Sequence, residues 1–187
     1  MKIYTRKGDD GTTGLLYGDR VRKDSAQPAA YGAVDEAQAQ IGLARATSAA
    51  SAATGGELDE LLIGIERDLW VLMAELATAA SKRERLTPGQ SLVTNDMVGG
   101  LEALIDSVME RFEAPTEFVV PGQTVVAAHL DVARTVVRRA ERLALSASVG
   151  GSFVVSYLNR LSDLLWALAR WQEGVSLTSR GASTAAS

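Results

Sequence analysis

The sequence predicts an all-α protein, an up-and-down bundle of five helices preceded by an extended N-terminal arm. Hydrophobic residues make up 47% of the 187 residues, and alanine and leucine, which favour helices, dominate them. Four prolines and 5% aromatic residues are few for a protein built on a sheet. Apolar residues also recur every three or four positions in five successive segments, which is typical of helices with one buried face.

The first half of the chain contains the arm and two of these segments. Residues 1–24 show no helical period and are expected to form an ordered arm or loop. Apolar stripes over residues 30–44 and 58–76 predict the first two helices, separated by an Ala/Ser/Gly linker at about 47–56. Residues 81–95 contain a Pro-Gly pair and are expected to form a loop.

The second half predicts three more helices. Thr94 is placed to cap the third helix, which is expected to continue to about Phe112. The fourth is expected over about 124–146 and the fifth over about 154–171. Five amphipathic helices in succession favour an up-and-down bundle.

The length of the chain suits a single domain with a sizeable core. We predict that this domain spans residues 1–174, with the arm at 1–24 and the helical bundle at 25–174. Residues 175–187 are rich in Ser, Thr, Ala and Gly, and this composition predicts a disordered tail.

The composition argues against several kinds of site and location. The chain has no cysteine, which excludes disulfides and thiolate metal sites, and its single histidine, His129, argues against a histidine-based zinc or iron site. We therefore predict no metal site made by protein ligands. The first residues are polar, and no apolar run reaches the roughly 20 residues that cross a bilayer. A cytoplasmic protein without a membrane partner is expected.

Charge is distributed unevenly along the chain. The net charge of −4 argues against nonspecific nucleic-acid binding. However, residues 1–24 carry six cations and four anions, and residues 131–142 carry four cations and two anions. Two basic segments in an acidic protein suit a small anionic ligand, and scattered charges on a solvated surface are the alternative.

The first basic segment contains a stretch, Tyr4–Gly14, that packs three glycines, three threonines and two cations into eleven residues. Glycines let backbone N–H groups approach a ligand, while hydroxyls and cations add hydrogen-bond donors, so the stretch suits a polyphosphate. It lacks the spacing of a Walker P-loop and no apolar strand precedes it. A turn-rich arm without a ligand would have a similar composition.

The second basic segment places Arg134, Arg138 and Arg142 at intervals of four, on one face of the fourth helix. Three neighbouring guanidiniums repel one another unless anions neutralise them, and a bound triphosphate could do so because arginine suits bidentate phosphate contact. The alternative is a solvated basic ridge with i,i+3 pairs such as Asp131 to Arg134.

On the fifth helix, Tyr157–Asp163 contains an Asn, Arg, Ser and Asp that cannot all be core residues.

Taken together, seven blocks resemble the PduO-type ATP:corrinoid adenosyltransferases in order and spacing. The resemblance covers residues 1 to about 171. Its blocks are residues 5–13, 20–24, 30–36, 41–44, 120–122, 133–142 and 157–163.

This resemblance implies a homotrimer of five-helix bundles with active sites between subunits. It implies transfer of the 5′-deoxyadenosyl group of ATP to the cobalt of cob(I)alamin, giving adenosylcobalamin and triphosphate, with Mg²⁺ helping to neutralise the leaving group. It also implies a flavin-type reductase and an adenosylcobalamin-dependent enzyme as partners. A non-catalytic cobalamin- or nucleotide-binding chaperone on the same fold, or a purely structural trimer, is the alternative.

The resemblance also assigns residues. Asp35 and Arg134 match a family pair that joins across the subunit interface, Phe118 matches an aromatic beside the corrin that displaces the lower axial ligand, and Arg138 is expected to be catalytic as well as nucleotide-binding. The remaining matches form the nucleotide cradle. They are Thr5, Arg6, Lys7, Gly8, Thr13, Gly14 and Lys23 of the arm, with Arg138, Arg139, Glu141 and Arg142 of the fourth helix and Asn159 of the fifth.

The chemistry implied by the resemblance fits this composition. Cob(I) is itself a strong nucleophile, so the protein needs no Ser, Cys or His base. What remains for the protein is positioning, exclusion of water and neutralisation of the triphosphate. An arm without its own core becomes useful if it folds over a neighbouring subunit, and that subunit would also cover the apolar Phe118–Val120 segment.

Overall fold

The computed structural model describes residues 2–48 and 55–180 of the chain. These residues form a small two-stranded sheet, five α-helices and one short 3-10 helix. The elements are β1 (Thr12–Gly14), β2 (Arg20–Arg22), α1 (Ala26–Ser48), α2 (Gly55–Leu76), the 3-10 helix (Ala80–Arg85), α3 (Asn95–Met109), α4 (Val125–Ala147) and α5 (Val154–Glu173). Residues 49–54, within the predicted linker, lie outside the described residues.

Helix boundaries follow local capping chemistry. The Thr94 side chain accepts a hydrogen bond from the Met97 N–H at 3.3 Å, which confirms it as the N-cap of α3. Thr124 caps α4 in the same way by accepting from the Ala127 N–H at 3.1 Å. The third helix ends at Met109 rather than near Phe112, and the 3-10 helix, Ala80–Arg85, occupies the first part of the stretch predicted to be a loop at 81–95.

The helices pack around one apolar core. Helix α1 packs against both α2 and α4, α4 also packs against α5, and α5 packs against α3. The buried stripe of α1 is mostly alanine, and these small side chains let its backbone approach α4 closely. None of the helices in the described ranges is both long and apolar enough to cross a bilayer.

The arm contains a β-hairpin that the sequence pattern does not predict. Its strands are three residues each and pair antiparallel, with Thr13 opposite Val21. The hairpin turn docks on the end of α2 and on the 3-10 helix. The Leu16 N–H donates to the Ala77 carbonyl at 2.8 Å, and Lys82 Nζ donates to the Tyr17 carbonyl at 2.8 Å. The arm is therefore ordered by contacts with its own chain.

The C-terminal segment is also ordered as far as the structure describes it. The Val120 N–H donates to the Leu177 carbonyl at 2.8 Å, and the Ser179 N–H donates to the Phe118 carbonyl at 2.8 Å. Residues 175–180 therefore differ from the predicted disorder, because they pair antiparallel with the segment before α4. Residues 181–187 of the predicted tail lie outside the described residues.

Candidate functional site

The outer face of α4 presents the predicted arginine cluster. Its inner face buries small apolar side chains, while Arg138, Arg139 and Arg142 are exposed. Arg139 pairs with Glu36 of α1, and Arg142 Nη1 donates to the Arg138 carbonyl at 2.9 Å. Neither Arg138 nor Arg142 has a carboxylate partner among residues 2–48 and 55–180. This face therefore carries positive charge that an anion could neutralise.

Beside this face, a hydrogen bond links α4 to α5. Asn159 Nδ2 donates to Glu141 Oε1 at 3.0 Å, and the Asn159 carbonyl accepts from the Ser162 hydroxyl at 2.9 Å. Both Asn159 and Glu141 are partly buried. The structure thus brings together two predicted cradle residues and fixes them next to Arg138 and Arg142.

The loop of the arm is held in shape by Arg20. Its Nη2 donates to the Lys7 carbonyl at 2.6 Å and to Thr12 Oγ1 at 2.5 Å. Asp10 Oδ1 accepts from both the N–H and the hydroxyl of Thr12, at 2.9 and 2.7 Å. These hydrogen bonds from Thr12, followed by the charge of Arg20, hold the pKa of the Asp10 carboxyl below its usual value. A rigid loop can present its donors without first being ordered.

Within that loop, Gly8 and Lys23 come close together. A Cβ on Gly8 would lie 3.1 Å from Lys23 Nζ and 3.1 Å from the Thr12 carbonyl, so only glycine fits here without movement. Arg6 adopts a positive φ of 60°, which non-glycine residues seldom do. The exposed cations Arg6, Lys7 and Lys23 have no carboxylate partner in the described part of the chain.

The two halves of the predicted nucleotide cradle make no direct polar contact with each other in the described part of the chain. Among the described residues, no hydrogen bond or ion pair joins residues 2–14 or Lys23 to the arginines of α4. The arm contacts its own chain at residues 77–85.

The predicted pair of Asp35 and Arg134 is likewise not formed within one chain. Arg134 Nε lies 3.3 Å from Asp131 Oδ1, the i,i+3 pair that the sequence offered as an alternative. Asp35 is exposed on α1 and has no ion-pair or hydrogen-bond partner within residues 2–48 and 55–180.

Phe118 projects from the segment before α4 and is 88% exposed. Together with Val120 it forms the apolar surface expected from the sequence. The Phe118 segment and the C-terminal residues border an open groove of about 550 Å³. Its lining residues are Pro115, Thr116, Glu117, Phe118, Ser179 and Arg180.

Sequence reasoning missed several residues that shape the site. Glu36 and Arg20 were not singled out, although the first pairs with Arg139 and the second holds the arm. Arg170 was missed as well. It is 2% exposed and its Nη2 donates to Asp131 Oδ2 at 2.6 Å. A signal existed, because Asp131 follows Ala127 by four residues and so falls on the apolar stripe of α4.

Comparison with known proteins identifies relatives over most of the chain. The corrinoid adenosyltransferase PduO of Salmonella typhimurium is 41% identical over 177 residues, covering 92% of this chain and 50% of the relative. A corrinoid adenosyltransferase of Citrobacter freundii is 38% identical and is covered over 95% of its length, and one of Mycobacterium tuberculosis is 40% identical and covered over 87%. The chain spans about half the length of the PduO relatives it matches.

Solved structures show the same fold. A phenylalanine-to-histidine variant of a PduO-type ATP:corrinoid adenosyltransferase from Lactobacillus reuteri, complexed with cobalamin and ATP, superposes with a TM-score of 0.81 at 31% identity, covering 92% of this chain and 91% of that one. An arginine-to-lysine variant complexed with ATP superposes with a TM-score of 0.77 at 29% identity, covering 91% and 94%. The family model for cobalamin adenosyltransferase matches residues 3–172. With that match spanning the arm and all five helices, the chain belongs to the cobalamin adenosyltransferase family.

Proposed function

We propose that this chain is an ATP:corrinoid adenosyltransferase. The observation that carries the proposal is the exposed arginine face of α4, where Arg138 and Arg142 lack carboxylate partners in the described chain beside the fixed Glu141–Asn159 pair. Related structures that contain both cobalamin and ATP support the choice of substrates. Relatives named corrinoid adenosyltransferases support the reaction class.

The proposed reaction is a nucleophilic substitution at the 5′ carbon of ATP. The electron pair of cob(I)alamin forms the cobalt–carbon bond, the bond from C5′ to the triphosphate oxygen breaks, and its electrons leave with triphosphate. No side chain has to act as a base. The demand on the protein is charge, because the leaving group must be stabilised as it develops negative charge.

Residues of two surfaces would supply that charge. Arg138, Arg139 and Arg142 of α4 would contact the triphosphate, with Glu141 and Asn159 holding the nucleotide beside them. The arm would enclose the phosphates from the other side. Its contributing residues are Thr5, Arg6, Lys7, Gly8, Thr13, Gly14 and Lys23.

We place the site between subunits of a homotrimer, because Asp35 and Phe118, which the resemblance assigns to the subunit interface and the corrin site, are both exposed in the single chain. The exposed Asp35 would pair with Arg134 of a neighbouring subunit, and Arg134 would keep Asp131 as its partner within the chain. Phe118, exposed in the single chain, would lie beside the corrin and displace its lower axial ligand. Burial of an exposed aromatic is a common source of binding free energy at such interfaces.

Magnesium would enter with the nucleotide. No cluster of three or more His, Asp or Glu side chains in residues 2–48 and 55–180 is arranged to hold a metal ion. Mg²⁺ prefers oxygen ligands and commonly binds through substrate phosphates and water. We therefore propose that ATP itself supplies its main ligands and that the arginines share in neutralising the triphosphate.

The same proposal extends to cellular context. A reduced corrinoid requires a source of electrons, for which a flavin-type reductase is suitable, and an adenosylcobalamin-dependent enzyme would consume the product. Both reactions fit a protein of the cytoplasm.

The direct test supplies the full chain with ATP, Mg²⁺ and chemically reduced cobalamin, and follows the absorbance change of alkylcobalt formation. Turnover, with one triphosphate released per adenosylcobalamin, is the expected result. Binding of both ligands without turnover would favour a chaperone on this fold, and absence of binding would favour a structural protein. Light scattering on the same samples measures the subunit number, for which three is expected.

A further inference from the structure

A buried ionic network crosses from α4 to the end of α5. Arg170 Nη2 donates to Asp131 Oδ2 at 2.6 Å and to Glu173 Oε1 at 3.0 Å. Arg170 Nε lies 3.0 Å from Glu173 Oε2. The Arg170 side chain is 2% exposed and that of Glu173 is fully buried. Asp131, Arg170 and Glu173 are called the buried network below.

Both ends of the buried network continue toward residues of the proposed site. On α4, Asp131 Oδ1 lies 3.3 Å from Arg134 Nε, so one carboxylate serves both arginines. At the other end, Glu173 Oε2 accepts from the Ser176 hydroxyl at 2.9 Å. Ser176 belongs to residues 175–180, whose backbone pairs with the Phe118 segment.

That pairing determines where Phe118 lies. Its side chain is 88% exposed, so packing within the chain does not orient it. Two backbone hydrogen bonds of 2.8 Å, at the Phe118 carbonyl and the Val120 N–H, attach this segment to residues 177–179. The position of Phe118 therefore depends on a segment that the buried network anchors.

Stability alone does not explain the buried network. A buried ion pair contributes little to stability beyond what apolar side chains of similar volume supply, because desolvation offsets the attraction. It does fix geometry, since the planar guanidinium of Arg170 engages two carboxylates in set directions. The buried network is therefore suited to fixing the relative orientation of the segments that it joins.

We propose that Arg170 is a positioning residue that holds Arg134 and the Phe118 segment in one fixed relation, through Asp131 on one side and Glu173–Ser176 on the other. This inference rests on the proposed function for the roles of Arg134 and Phe118. Residues 175–180 then act as a strap that keeps Phe118 ready for the corrinoid.

The first experiment tests the strap with two substitutions at Ser179. Ser179→Pro removes the N–H that donates to the Phe118 carbonyl, whereas Ser179→Ala keeps it. Hydrogen exchange at the Val120 amide and chymotrypsin cleavage after Phe118, identified by mass spectrometry, report the state of the segment. We expect both to be about tenfold faster in Ser179→Pro and unchanged in Ser179→Ala. Equal rates of exchange and of cleavage in the two variants would show that residues 175–180 do not hold the Phe118 segment in place.

The second experiment tests the link to the buried network. Ser176→Ala removes the hydroxyl that donates to Glu173, and Ser156→Ala, at an exposed position of α5, is the matched control. Arg170→Lys keeps the charge but loses the planar guanidinium, whose Nη2 reaches both Asp131 and Glu173. We expect the Val120 amide to exchange faster in Ser176→Ala and in Arg170→Lys than in the parent. In Ser156→Ala its exchange rate should be unchanged. If Arg170→Lys fails to fold, the result for Ser176→Ala decides the question. An unchanged exchange rate of the Val120 amide in Ser176→Ala would refute the link between the buried network and the Phe118 segment.

Kinetics then separate positioning from folding. In Ser176→Ala and Ser179→Pro we expect kcat/KM for the corrinoid to fall about tenfold while KM for ATP stays within twofold. Faster exchange with unchanged corrinoid kinetics would overturn the role in the reaction. If the parent protein shows no turnover, the proposed function fails, and the exchange experiments still decide whether the buried network anchors Phe118.

Discussion

Asn159 Nδ2 donates a hydrogen bond to Glu141 Oε1 at 3.0 Å, and this contact fixes the carboxylate of α4 against α5. The amide holds the Glu141 carboxylate in one orientation, and this carboxylate forms no ion pair with Arg138 or Arg142 in the described chain. The arginines then stay available to an incoming anion. Asn159 in this arrangement fixes the carboxylate that lies beside these arginines.

The first prediction concerns this contact. Asn159→Ala frees Glu141 to pair with the nearby arginines, so we expect KM for ATP to rise roughly tenfold, or about 1.4 kcal/mol of binding. Steady-state kinetics and ATP calorimetry measure the change. Asn159→Asp, which sets two carboxylates side by side, should be worse than alanine. An alanine variant with parental ATP affinity would show that the contact is dispensable.

The second prediction concerns Arg138, which is exposed and has no carboxylate partner among the described residues. Arg138→Ala removes one cation proposed to face the leaving triphosphate, and loss of a comparable donor in other enzymes costs about 100-fold or more in turnover. The fold should persist because the side chain makes no core contact. Arg67→Ala removes an exposed arginine from α2 and serves as the control. Similar rates for both variants would remove Arg138 from the site.

The third prediction concerns the close approach at Gly8. A Cβ there would lie 3.1 Å from the Thr12 carbonyl, which is backbone and cannot move aside freely. Gly8→Ala is therefore expected to raise KM for ATP by about tenfold, since a small displacement of a binding loop has large effects. Tm should change little because the loop is exposed.

Gly99→Ala is the control for this substitution. Gly99 lies on the exposed face of α3 with nothing within 4 Å of an added Cβ, and alanine favours a helix over glycine. Gly99→Ala should keep the ATP affinity of the parent and gain slightly in stability. If Gly8→Ala behaved in the same way, the tight contact would have no functional meaning.

These residues show what the sequence could predict and why. The five helices follow from local periodicity and capping, and Thr94 is confirmed as a cap because an N-cap bonds only three residues ahead. The hairpin was missed because strands of three residues give no measurable alternation, and its position depends on long-range contacts such as Leu16 with Ala77. Arg170 was missed because its pairing with Asp131 depends on how two helices are rotated against each other.

In the candidate site, too, some contacts could be predicted from the sequence and others could not. The contact of Glu141 with Asn159 joins two residues that the resemblance had placed in one cradle. The order of residues 175–180 could not be predicted, because it arises from pairing with a segment more than fifty residues earlier and not from composition. That the arm of one subunit meets α4 of another stays a prediction.

The fourth prediction concerns Asp35 and assembly. Asp35→Asn removes the charge proposed to reach Arg134 of a neighbour, while Arg134 keeps Asp131 within its own chain. We expect the proposed trimer to dissociate at about tenfold higher protein concentration, with loss of turnover to match. For three subunits this is about a hundredfold in the dissociation constant, or roughly 2.7 kcal/mol per trimer. Sedimentation velocity over a dilution series measures it. Asp35→Glu keeps the charge and should restore most of the assembly, and an unaffected Asp35→Asn trimer would rule out the pair.

The fifth prediction uses a half-buried carboxyl away from the proposed site. The Tyr157 hydroxyl donates to Asp68 Oδ2 at 2.8 Å. Burial raises the pKa of Asp68 above its ordinary value of 3.8, although this hydrogen bond opposes the shift. Burial and the neighbouring Asp68 charge also raise the pKa of Tyr157. The pair therefore favours a protonated Asp68 more in the folded chain than in the unfolded one.

Stability should then depend on pH in a defined direction. An acid whose pKa is higher in the folded state stabilises the fold while protonated, and this contribution is lost as pH rises through the folded pKa. Asp68→Asn cannot ionise and still offers an oxygen to the Tyr157 hydroxyl. We expect the variant and the parent to unfold alike at acid pH, where Asp68 is protonated in both states, and the variant to have the higher Tm at pH 7. Thermal unfolding across this range is the measurement. A Tm difference that stays constant with pH, or a variant that is less stable at pH 7, would contradict the raised pKa.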